Sequence, residues 1–157
     1  MIAVNHYHQK FHNQEFAWMG LRALQYLHSE MSSVEIDGIQ TQAVRFNSQK
    51  GETSWDQRQV LSFEHNLDFK VALHGFQGAR EPWMSRAEFE LQEFLSQLWS
   101  GDHYWPGYNL QTLTPNREEI YLDTQAWASL GTLARDSENR FPRWNSVRDR
   151  KSKRTER

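Results

Sequence analysis

The residues best suited to chemistry sit together in Glu64-His65-Asn66-Leu67-Asp68, three ionisable groups within five positions. On a helix each residue turns by about 100°, which places Asp68 roughly 40° and His65 roughly 100° from Glu64. All three then share one quadrant at the start of a helix. Two partly desolvated carboxylates that close must split their pKa values, the arrangement used in acid/base catalysis. A plainer reading stands beside it. Acids suit a first helical turn, Asn66 caps or faces solvent, and His65 packs as a core histidine.

A second group is Tyr121-Leu122-Asp123-Thr124-Gln125-Ala126-Trp127. Asp123 or Thr124 is a good N-cap. Alternatively, Asp123, Gln125 and Trp127 ring the mouth of a pocket, with Trp127 as a stacking platform for a sugar. The third group places Trp99, Tyr104, Trp105 and Tyr108 in ten residues beside Asp102 and His103. Flat aromatic faces suit the C–H faces of pyranose rings and polar neighbours suit their hydroxyls; the same rings could equally plug one end of a helical core. Trp55-Asp56 serves either purpose. His6-x-His8-x-x-x-His12 has metal-like spacing, but no glutamate follows the first histidine as a zincin requires. We therefore expect no metal site and no cofactor. Gly-rich phosphate loops and nucleophile elbows are absent from the sequence.

Four helical segments must position these groups. The first runs from Asn13 to His28, with Phe16, Gly20, Ala23, Leu24 and Leu27 on one stripe and Trp18, Leu21 and Tyr26 on a second flank, so it is expected to pack on more than one side. The second runs from Ser62 to Phe76. The third, Ser85 to Trp99, combines a Ser85/Glu88 capping box with Leu91, Phe94, Leu95, Leu98 and Trp99 at helical spacing. The fourth opens at Asp123–Thr124. Residues 29–61 read as a long polar connection with one short strand at Thr41–Phe46, and residues 100–122 as an aromatic loop. Helix, short turn, helix, long loop is the rhythm of stacked helical hairpins. The expected class is all-α.

Charge and composition narrow the partners. The chain has 157 residues and a net charge of −2, but residues 140–157 alone carry eight basic and two acidic groups, a net +6, leaving −8 on residues 1–139. An acidic body argues against a nucleic-acid-binding domain, which needs basic charge on a folded face. We expect two regions: a helical domain over 1–139 and a basic, disordered tail over 140–157. No cysteine is present, so disulfide scaffolds, thiolate metal sites and thiol catalysis are excluded. Apolar runs are too short to span a membrane. With no signal-like N-terminus, the cytoplasm is the expected location.

Taken in order, "NQEFAWMGLRALQYL" (13–27), "SWDQRQVLSFEHNLDFKVAL" (54–73), "LSQLWSGDHYWPGY" (95–108) and "IYLDTQAWASLGTLA" (120–134) resemble bacterial proteins of the six-hairpin glycosidase superfamily. The resemblance implies an (α/α)6 toroid, of which this chain would supply four or five helices: a partial toroid with uncovered apolar edges and a tendency to self-associate. It also implies a carbohydrate partner and a cleft containing Glu64, His65, Asp68, Asp123, Gln125 and Trp127. In a glycoside hydrolase, Glu64 or Asp68 would be the general acid and Asp123 the base or nucleophile. In a sugar epimerase, His65 would move the proton; a phosphorylase is a further possibility. The alternative is a non-catalytic sugar-binding remnant, or an inactive fragment of a longer enzyme, gripping sugar through Trp55, Trp105 and Trp127, with Tyr104 nearby.

Overall fold

Asp37 and Gly38, with φ of 51° and 79°, turn the chain back on itself between two strands, β1 (Met31–Ile36) and β2 (Ile39–Val44). Successive left-handed residues are what a two-residue hairpin turn requires, and Asp-Gly is a favoured pair for it. The strands pair antiparallel from Met31↔Val44 to Ile36↔Ile39. Val34, Ile36, Thr41 and Ala43 are buried while Ser33, Glu35 and Gln40 face out, the period of two that half-buried strands show. This hairpin occupies much of the stretch expected to be a polar connection, and it places Thr41 in a strand as expected.

The computed structural model describes residues 1–13, 15–45, 59–76 and 78–133, excepting the side chains of 130–133. Trp55 and the expected tail at 140–157 lie outside the described residues. A second sheet joins β3 (Val60–Ser62), β4 (Gly107–Asn109) and β5 (Thr114–Pro115) in that order, antiparallel throughout. Five helices complete the described elements: α1 (Ile2–Phe11), α2 (Ala17–Ser29), α3 (Phe63–Gly75), α4 (Pro82–Gln97) and α5 (Leu122–Leu133). The class is mixed α and β. The all-α partial toroid is therefore corrected: strands interrupt the expected alternation of helical hairpins wherever apolar residues alternate or the backbone pairs across a close approach.

α3 and α4 form the centre. On one side Phe63, Leu67, Phe94, Leu95 and Leu98 pack with the hairpin residues Val34, Ile36 and Ala43 and with Leu61, Tyr108 and Ala128. Beyond it, Phe69, Leu73, Met84, Ala87 and Leu91 pack with Leu24 of α2 and Val44. α1 docks through its buried Asn5, whose Nδ2 donates to Ala72 O at 3.0 Å. Two details of the expected helices change. α4 begins at Pro82, with Glu81 as N-cap, because proline is preorganised for the first helical position. Ser85 is thus in the helix interior, and Glu88 is no capping-box partner but a buried acid 3.1 Å from Arg80 and 3.8 Å from His74. α2 buries only Gly20 and Leu24; of its expected second flank, Leu21 packs half-buried against this core, while Trp18 and Tyr26 are 66% and 55% exposed. No described helix is long and apolar enough to cross a membrane.

Candidate functional site

Glu64 is the second residue of α3 and Asp123 the second residue of α5. Both therefore sit where the positive ends of their helix dipoles favour acids. The two line one cleft of about 860 Å³, within the roughly 300–1,000 Å³ of small-molecule sites. Its floor is β3 and β4. There Gly107 approaches Leu61 so closely that a Cβ on it would lie 2.5 Å from the Leu61 carbonyl oxygen. The outer wall is the β4–β5 hairpin and the segment after it, with Asn109, Thr112, Asn116, Arg117 and Glu118 facing the cleft.

Local bonds hold each wall. Ser62 caps α3 by accepting from the His65 N–H at 3.4 Å. Phe63 N–H donates to Pro106 O at 2.9 Å and ties the start of α3 to the residue preceding β4. Asn109 Oδ1 accepts from the N–H groups of Gln111 and Thr112 at 2.8 and 3.2 Å, an Asx turn that shapes the β4–β5 loop. Asp123 Oδ1 accepts from Thr124 N–H at 2.7 Å, and Thr124 itself is buried.

The remaining expected site residues are placed differently. Asp68 is half-buried beside Glu64 on α3 but does not line the cleft. Burial pushes its carboxyl above the usual carboxylate range; the Glu64 charge pushes it the same way and His65 opposes both. His65 is exposed and outside the cleft lining. Asn66 is fully buried: its Oδ1 accepts from Val44 N–H at 2.7 Å, and its Nδ2 donates to Val44 O at 2.9 Å and Ser62 O at 2.7 Å. It neither caps nor faces solvent but clasps the end of β2 to the start of α3.

The aromatic loop belongs mainly to the core. Tyr104 lies against Phe63 and Trp99, with ring centroids 4.7 Å apart in each pair, and Trp105 packs against the same core and edge-on to His103. Gln125 grips the Tyr104 backbone in both directions: Tyr104 N–H donates to its Oε1 at 2.9 Å and its Nε2 donates to Tyr104 O at 2.8 Å. Trp127 is 41% exposed and does not line the cleft. The turn between Trp99 and Tyr104 is closed by Ser100, Asp102 and His103. Asp102 and Ser100 both reach the same imidazole nitrogen, Nδ1, at 2.6 and 3.1 Å. A relay would need them on opposite nitrogens, so this cluster is a turn lock. Its bonds hold the Asp102 carboxyl below the usual carboxylate range, the Ser100 hydroxyl contributing most.

No family model matches the chain, and neither a curated protein nor a solved structure matches it. Among the described residues, no group of three or more His, Asp or Glu side chains is arranged to hold a metal ion. What the sequence left unmarked is the polar wall from Asn109 to Glu118. Its one sequence signal was the Asx-turn asparagine, Asn109; the turn at 110–113 that follows, with Leu113 in the left-handed region at φ 55°, brings the chain into β5.

Proposed function

We propose that this is a carbohydrate-active protein that holds an oligosaccharide in the cleft between Glu64 and Asp123. The single observation that carries the reading is the convergence of these two carboxylates, far apart in sequence, on one cleft. Carboxylates and the amide and hydroxyl groups of Asn109, Asn116 and Thr112 are suited to the donor–acceptor pattern of sugar hydroxyls. Tyr121, 45% exposed at the rim, offers an aromatic face. The ordered sequence blocks that resemble six-hairpin glycosidases support the same ligand class. For glycosidic cleavage, one of Glu64 and Asp123 would protonate the leaving oxygen and the other would act as base or nucleophile.

The second reading is sugar binding without chemistry, and the polar wall favours it: Asn109, Thr112 and Asn116 supply hydrogen-bonding groups to the cleft whether or not its carboxylates react. Calorimetric titration with a panel of neutral and charged oligosaccharides tests the shared claim, and reducing-end release separates the two readings. Saturable binding that weakens at least tenfold in both Glu64→Gln and Asp123→Asn is expected. A flat response across the panel would overturn both.

A further inference from the structure

We infer that Gln125 is a positioning residue that sets the distance between Glu64 and Asp123, rather than a group that touches sugar. The inference rests on the reading of the cleft given above.

The two carboxylates stand on separate walls, so their spacing depends on what joins those walls. The Glu64 wall is continuous with the floor: Ser62 pairs with Gly107 across β3 and β4, and Phe63 N–H bonds Pro106 O. The Asp123 wall is the first turn of α5. Gln125, two residues on, reaches sideways to the Tyr104 backbone with the reciprocal pair of bonds at 2.8 and 2.9 Å. That pair imitates the two-bond pairing of neighbouring strands and fixes both distance and orientation. Tyr104 in turn packs its ring on Phe63, the residue next to Glu64, and Tyr104 N–H has its bond through Gln125. A short chain of contacts, Asp123–Gln125–Tyr104–Phe63–Glu64, therefore spans the cleft behind its lining. Gln125 itself is half-buried and absent from that lining.

The chain has no native cysteine, so spin labels at His65→Cys on α3 and Ala126→Cys on α5, both exposed positions, report the gap directly. The parent should give one narrow distance distribution. Gln125→Met keeps the side-chain length and removes both bonds; it should broaden the distribution and weaken oligosaccharide binding about tenfold, the equivalent of roughly one hydrogen bond to the ligand lost. Gln125→Glu puts a carboxylate oxygen in place of the donor, against Tyr104 O, and should broaden it as well. A distribution as narrow in Gln125→Met as in the parent would overturn the inference; if Gln125→Met does not fold, a parent-like Gln125→Glu does so instead. The distance readout needs no sugar. Broadening in a protein that binds no oligosaccharide leaves the positioning role standing and sinks the proposed function, whereas binding with an unchanged gap does the reverse.

Discussion

Replacing Asn66 with alanine should destabilise the protein by about 3–5 kcal/mol. The side chain is fully buried and makes three hydrogen bonds, to Val44 N–H, Val44 O and Ser62 O. Each is worth about 0.5–1.5 kcal/mol net, and leaving its backbone partner dry and unpaired raises the loss toward 1–3 kcal/mol. Alanine reaches none of the three. Against a total stability of about 5–15 kcal/mol, the loss is severe, and for a chain of this size it lowers Tm by roughly 6–20 °C. Urea unfolding followed by tryptophan fluorescence measures it. Asn66→Asp sharpens the reasoning, because its carboxylate would face two carbonyl oxygens in a dry site. Its folded pKa should rise, so Asn66→Asp should lose stability as pH climbs through that raised value and regain it on acidification. An Asn66→Ala protein within 1 kcal/mol of the parent would refute the account of this residue as a clasp.

Three further outcomes follow from the same structure. Gly107→Ala should cost about 2–3 kcal/mol by forcing a methyl group against the Leu61 carbonyl, and two-dimensional NMR should show the disturbance concentrated in β3, β4 and the cleft floor. Because burial and Glu64 raise the Asp68 pKa above 3.8, its contribution to stability is fully present below pH 3.8 and is lost as pH rises through the folded value. Asp68→Asn should flatten that part of the stability–pH curve and leave the neutral-pH protein more stable, as chemical denaturation at stepped pH would show. Gly38→Val should destabilise by about 1–3 kcal/mol, because a branched side chain is strained at φ 79°, with the loss read from thermal melts.

The helices were legible because their apolar residues recur at helical spacing: Leu91, Phe94, Leu95 and Leu98 are all buried, as their pattern requires. The sheets were less so, for a physical reason. A half-buried strand needs only every second residue apolar, so Val34, Ile36, Ala43 and the polar but buried Thr41 leave a stretch that looks hydrophilic on average. Asp37-Gly38, a favoured pair for a two-residue hairpin turn, carried a local signal that the reading of 29–61 as a polar connection passed over. Of the candidate site, Glu64 and Asp123 were legible from their places at helix starts. Gln125 reads from the sequence as a ligand residue and Asn66 as a cap or solvent-facing residue; the bonds each makes to backbone 21 or 22 positions away are invisible to local spacing. The polar wall at 109–118 carried no periodicity, and only the folded register of β4 on β5 brings it round to face the carboxylates.

The central claim is that Glu64 and Asp123 face one ligand across one cleft. The most direct measurement is a crystal structure of the protein with the tightest-binding oligosaccharide of the panel. A sugar ring within hydrogen-bond distance of both carboxylates, above the Gly107 floor, is the predicted result. Sugar held instead against the exposed rings of Trp127 or Trp18, with the cleft carboxylates untouched, would contradict it.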